Sequence, residues 1–170
     1  MGFSALDGLM MGTRAGTLDA GVILYLLEKG YTHDQLQRLL YQQSGLLGVS
    51  GISADMRKLR SQDSDSAKRA IDLFVYRVIR ESGAMISCLQ GLDVLAFSGG
   101  IGEHDALLRE TVCAHHAWMG LSIDHHLNQS AVGDEIVKIS TPGSSVEVWV
   151  IPTDEGKMAA EQARALLNLT

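Results

Sequence analysis

Four short segments carry side chains whose types and spacing can do chemistry. Arg14 sits in Met11-Gly12-Thr13-Arg14-Ala15-Gly16, an uncharged loop between glycines. A planar fork of donors there can clamp a phosphate or a carboxylate, and it can equally bond loop carbonyls at the surface. Asp55-Met56-Arg57 places an acid and a base two residues apart at a predicted helix start. That pair can face a ribose and a base, or simply cap the helix and meet solvent. Residues 93–104, Asp-Val-Leu-Ala-Phe-Ser-Gly-Gly-Ile-Gly-Glu-His, join a short apolar run to Gly99, Gly100 and Gly102. Glycines lack the Cβ that keeps a ligand off the backbone, and N–H groups at a helix start suit anions. The spacing is not a P-loop, because no Gly-Lys-Ser/Thr follows, nor a clean G-x-G-x-x-G. Taken alone, the stretch reads as well as a structural turn. Asp154-Glu155 follows the apolar run Val146–Ile151 and Pro152. Carboxylates at the carboxyl end of a strand can hold a divalent cation through water, or can complement a helix dipole.

The remaining reactive types offer less. His115-His116 and His125-His126 are adjacent pairs whose members point apart on a helix, with no third ligand at metal spacing. His33 is expected to be exposed at a helix start. His104, inside the glycine stretch, is the histidine retained as a ligand contact. Cys88 and Cys113 are not in a C-x-x-C spacing, and both are expected to be buried free thiols. Ser98 is not in a G-x-S-x-G elbow.

The elements that must position these groups follow from period and caps. Asp19 is expected to cap a helix through about Lys29, closed by Gly30, and Thr32 with Gln35 has capping-box spacing. Residues 45–53, Gly-Leu-Leu-Gly-Val-Ser-Gly-Ile-Ser, read as an apolar loop. Ser53 is expected to cap a short turn through Arg57. Apolar positions from Ala67 to Met85 recur at helical spacing and predict a long helix to about Leu89. Val94–Phe97 predicts a buried strand, followed by a glycine turn and a helix from Glu103 to Trp118. Strands are expected at Leu121–Ile123, Ile136–Ser140 and Val146–Ile151, with a helical turn at His125–Ser130 and a terminal helix over Asp154–Leu167. Helices first, then strands alternating with helices, predict an α/β fold with a parallel or mixed sheet.

Composition narrows the class. The chain has 170 residues, 46% hydrophobic and 20% charged, with a net charge of −6. That suits one domain with a real core and disfavours nucleic acid binding by phosphate neutralisation. No apolar run reaches membrane-spanning length, no basic leader opens the chain, and a reducing cytoplasm is expected. The opening, a glycine-punctuated loop with a lone arginine, suggests that Met1 is an internal position of a longer protein.

Taken in order, the segments resemble the acetate kinase family, propionate kinases included. The resemblance rests on Gly8-Leu9-Met10-Met11-Gly12-Thr13-Arg14, Ser44 to Gly51, Asp55-Met56-Arg57, Phe97 to Glu103, and Ile151-Pro152-Thr153-Asp154-Glu155. It covers essentially all of residues 1–170 and corresponds to the C-terminal half of the family's protein. It implies an actin/sugar-kinase/Hsp70-like, ribonuclease H-like C-terminal lobe. The implied reaction is phosphoryl transfer between ATP and acetate, giving ADP and acetyl phosphate, with Mg²⁺. Arg14 matches the arginine that stabilises the transferring phosphoryl group, whose charge is spread over equatorial oxygens. Asp55, Met56 and Arg57 match one ATP-contacting stretch. Gly100, Ile101, Gly102, Glu103 and His104 match a second. Glu155 matches the Mg²⁺-associated carboxylate. The family usually has Asn at the position of His104 and often Glu at that of Gly156.

The family's N-terminal half supplies an Mg²⁺-associated asparagine, a substrate-binding arginine, a catalytic aspartate, a histidine and a glycine-rich phosphate loop. None has a counterpart in this sequence, so little kinase activity is expected of it alone. Propionate in place of acetate stays open, as does a non-catalytic module that only binds nucleotide or forms a homodimer.

Overall fold

Side-chain caps set most helix starts. Asp19 accepts the Gly21 N–H and opens α1 (Ala20–Glu28). Thr32 and Gln35 form the expected capping box of α2 (His33–Gln42). Ser64 accepts the Ala67 N–H and opens the long α5 (Asp65–Leu89). The computed structural model describes residues 2–167, apart from the Glu155 side chain. The chain forms two compact units, Met1–Gln90 and Gly91–Thr170.

In the first unit, α3 (Gly45–Ser50) and α4 (Met56–Arg60) pack on α5. The expected apolar loop at 45–53 is thus largely a helix. Leu46 is fully buried, and a helix pairs the backbone groups that a buried loop would leave unbonded. Asp55, rather than Ser53, caps α4 by accepting the Arg57 N–H, and Ser53 Oγ accepts the Asp55 N–H. The core gathers Met10, Leu36, Leu46, Met56, Leu59 and Phe74. Cys88 is exposed on α5. Its apolar neighbours in sequence hid the fact that it faces outward.

The second unit is built on a mixed three-stranded sheet, β1 (Val94–Phe97), β2 (Val137–Lys138) and β3 (Glu147–Val150), in the order β1-β3-β2. β1 runs parallel to β3, with Phe97 opposite Val150, and β2 runs antiparallel to it, with Lys138 opposite Trp149. The expected strand at 121–123 is a single bridge between Ile123 and Ser140. The expected glycine turn is itself helical: α6 spans Gly99–His104. Gly99, at φ +75°, begins it in a conformation that favours glycine. Asp105 then breaks the chain and caps α7 (Ala106–His115) through the Leu108 N–H, so the expected helix 103–118 is divided. α8 (His125–Ser130) lies where expected, capped by Asp124, and α9 (Glu155–Leu167) ends the described chain. Buried Cys113 lies on α7, and burial pushes its thiol up to about 12.

Arg109 holds this unit together. Its side chain is fully buried. Nε donates to Asn128 Oδ1, Nη1 to the carbonyls of Gly102 and Glu103, and Nη2 to those of Asn128 and Ala131, at 2.6–3.1 Å. All the acceptors are neutral oxygens. Burial pulls its pKa down, and the charge of Asp105 opposes that. Removing its donors leaves buried oxygens unsatisfied, each costing roughly 1–3 kcal/mol where water cannot reach it, so a total of roughly 3–5 kcal/mol needs only a few of the five to stay dry. Arg109→Met is therefore expected to lower stability by about that amount. Arg109→Lys should recover only a minor part, because an ammonium is a point charge without the planar fork. Urea unfolding followed by the fluorescence of Trp118 and Trp149 checks this, and an Arg109→Met chain as stable as the parent would contradict it.

Candidate functional site

The Arg14 loop is stitched to the junction of α2 and α3 by main chain. Met11 N–H donates to Arg14 O, Ala15 N–H to Leu40 O, Ser44 N–H to Thr13 O, Leu46 N–H to Met11 O, and Leu47 N–H to Gly12 O, all at 2.9–3.1 Å. Gly45 permits this closeness. It has φ +64°, and a Cβ there would collide with Met11 O and stand 2.9 Å from Arg14 O. The loop backbone is fixed while the half-buried Arg14 side chain makes a weak contact, Nη1 to Met11 Sδ at 3.6 Å. Arg14 lines a polar cleft of about 620 Å³ with Thr13, Asp34, Arg38 and Tyr41.

The same loop touches the second predicted stretch. A Cβ on Gly12 would lie 2.8 Å from Ala54 O, so the two backbones meet beside Asp55. Asp55 and Arg57 pair with each other, Nε to Oδ1 at 3.2 Å and Nη2 to Oδ2 at 2.9 Å. The side-chain hydrogen bond from Arg57, helped by its backbone N–H, holds the Asp55 carboxyl below its ordinary value. Arg57 is raised in turn, chiefly by the same bond. The Arg57 side chain is 82% exposed, so this pair contributes little stability. Met56 between them is buried in the core at 4% exposure.

In the second unit the carboxyl ends of the parallel strands β1 and β3 carry the other two predicted stretches. That end is where ligands approach open α/β sheets. Gly100 and His104 are exposed, Ile101 and Gly102 half-buried, and Glu103 is buried at 8% exposure. Glu103 Oε1 accepts the Gly99 N–H at 2.7 Å, and the Thr153 N–H and Thr153 Oγ1 at 2.9 Å each. It thereby joins α6 to the segment leaving β3. Asp154 Oδ1 accepts the Lys157 N–H and helps open α9. The Glu155 side chain, matched to the metal, lies outside the described residues, although its backbone starts α9. Among the described residues, no group of three or more His, Cys, Asp or Glu side chains is placed to hold a metal.

Sequence reasoning missed Arg109, Asn128 and Thr153. Arg109 lies among Leu108, Val112 and Cys113, which are all buried. A charge inside an apolar helical stripe was the available signal. Thr153 gave none, because its partner is fifty residues away.

Known proteins resolve what this arrangement belongs to. A crystal structure of Porphyromonas gingivalis acetate kinase superposes with a TM-score of 0.85 at 38% identity, covering 95% of this chain and 41% of that one. A propionate kinase from Francisella tularensis gives 0.77 at 35% identity, covering 88% and 38%. The fold is therefore that of the actin/sugar-kinase/Hsp70-like proteins, α/β with a small mixed sheet and packed helices. The family model described as the acetokinase family matches residues 1–161. The chain belongs to that family. An acetate kinase of Rhodopseudomonas palustris is 55% identical over 169 residues, which are 99% of this chain and 42% of the relative. The chain thus spans less than half the length of the relatives it matches.

Glu103 also gives the second unit a pH dependence. Burial raises its carboxyl pKa, but the hydrogen bonds from Thr153 and Gly99 outweigh burial, and the net value lies below the ordinary 4.5. A depressed folded value means stability that is present above about pH 4.5 and lost as pH falls through the folded value. Urea midpoints taken between about pH 6 and pH 3 should fall more steeply for the parent than for Glu103→Gln. Parallel curves would refute the assignment.

Proposed function

We propose that residues 1–170 are the C-terminal, ATP-binding lobe of an acetate-kinase-type phosphotransferase, one that moves a phosphoryl group between ATP and acetate with Mg²⁺. The observation that carries this reading is the Arg14 loop. Its main chain is bonded on both sides, while its guanidinium bonds no carboxylate among the described residues and lines an open polar cleft. Preorganised donors of that kind stabilise charge that develops on a transferring phosphoryl group.

In this reading Arg14 meets the phosphoryl oxygens, and Asp55 to Arg57 line the adenosine. Gly100 to Gly102 let the nucleotide approach backbone, and His104 offers one imidazole hydrogen bond where the family usually has Asn. Mg²⁺ is compatible with the donors present. It is commonly held by one or two carboxylates together with water and substrate phosphates, so Glu155 suffices as the protein ligand in this lobe. When bound, Mg²⁺ neutralises charge on the phosphates. The proposed setting is a cytoplasm; no helix among the described residues is long and apolar enough to cross a membrane.

These residues alone should bind MgATP yet turn over at least about a thousandfold more slowly than a full-length relative, since transfer depends on positioning from both partners. Calorimetric titration and a coupled acetyl phosphate assay check both halves. No heat at millimolar ATP would sink the nucleotide lobe, and substantial turnover would overturn the inactivity.

A role in homodimer formation is supported by α1. None of its residues is buried, and Val22, Leu24, Tyr25 and Leu27 are each exposed. Apolar surface of that kind marks interfaces. Leu24→Asp is expected to convert a dimer into a monomer in light scattering. A parent chain that is monomeric at micromolar concentration would refute the dimer.

A further inference from the structure

We propose that Glu103 is a positioning residue: it locks α6 to the segment leaving β3, so that the nucleotide contacts of Gly100–Gly102 depend on Thr153. This rests on the nucleotide reading above and changes the part assigned to one residue of that stretch. Glu103 holds the site without touching the nucleotide.

The geometry is specific. The β1–β3 ladder runs to the bond from Ile151 N–H to Phe97 O. Past that bond the two chains diverge, one into α6 and the other toward α9. Glu103 Oε1 reconnects them by accepting from Gly99 N–H on one side and from both Thr153 donors on the other. Ser98, which precedes α6, makes no side-chain cap, so the Glu103 carboxylate supplies the acceptor at that end. Its main chain is held as well, because buried Arg109 donates to Glu103 O and Gly102 O at 2.8 Å. A side chain bonded at both ends and 8% exposed has little freedom to turn toward a ligand. Turning would break three bonds to an ionised acceptor, the strong kind. Negative charge beside Gly99 N–H also disfavours a phosphate at that amide.

The test uses Thr153→Val, which keeps shape and the N–H but removes the hydroxyl bond, without altering Glu103. ATP affinity of the 170-residue chain should fall at least about tenfold, the size of one lost charge-assisted bond. Amide exchange across Gly99–His104 should rise by a similar factor. Glu103→Ala should lose more, and Glu103→Gln, which keeps an acceptor oxygen, should be intermediate. The double variant Glu103→Ala/Thr153→Val should bind no more weakly than Glu103→Ala alone, since the shared bond is already gone. All variants are compared where circular dichroism shows them folded. If Thr153→Val binds ATP like the parent, or the two effects add, Glu103 is not a positioning residue. If the parent itself binds no ATP, the nucleotide reading fails, and exchange still decides the lock. Unchanged α6 exchange in Thr153→Val overturns it.

Discussion

A guanidinium buried without a carboxylate partner is the constraint on which the second unit depends. Arg109 is solvated by carbonyl oxygens alone, and their positions explain why that suffices. Gly102 O and Glu103 O lie in the last turn of α6, while Asn128 O and Ala131 O lie at the end of α8. A helix leaves its last carbonyls without intrahelical partners and carries partial negative charge there. Two short helices therefore offer one cation two negative ends. Each end would otherwise be an unsatisfied buried group. The charge that would be costly alone becomes the means by which α6, too short to be stable in isolation, is given a fixed place behind β1.

Glu103 does the complementary work at the start of α6, where donors rather than acceptors are unpaired. Acid at the front and base at the back follow the helix dipole. The two side chains do not bond to each other, but both act on the backbone of the same six-residue helix. The glycines of α6 make it a weak helix, and the flanking charges restore its order.

Much of this was legible in the sequence. The capping box at Thr32 and Gln35, the long α5 and the turn at His125–Ser130 all followed from local signals. They were local because each cap and its target lie within four residues. β1 lies where expected but is not the buried strand its apolar run predicted, since only Phe97 of it is buried and Val94 is exposed. α3 and α6 were not read as helices, since Gly45, Gly48, Gly99, Gly100 and Gly102 are turn signals by propensity. Tertiary burial overrides that propensity: Leu46 has no exposed surface, and Glu103 is tied to Thr153. The misplaced Cys88 has the same origin, because periodicity finds an apolar stripe but not which edge of it is covered. The family was legible from its motifs, but a motif does not separate residues that would touch a ligand from those that would hold them in place. Met56 is buried and Asp55 caps α4, so even a stretch matched to ATP contains structural members.

Phosphoryl transfer involves little covalent work by the protein, so catalysis lies in positioning and charge. Positioning of Arg14 is internal to the first unit, fixed by Gly45 and the bonds to Leu40, Ser44, Leu46 and Leu47. Positioning of Gly100–His104 is internal to the second, fixed by Arg109, Glu103 and Thr153. Neither set draws on the asparagine, aspartate, histidine or phosphate loop expected from the family's other half. On the function proposed above, nucleotide affinity is therefore expected of these residues and turnover is not. Binding needs each contact in place, whereas the transition state needs all of them placed around one phosphorus atom.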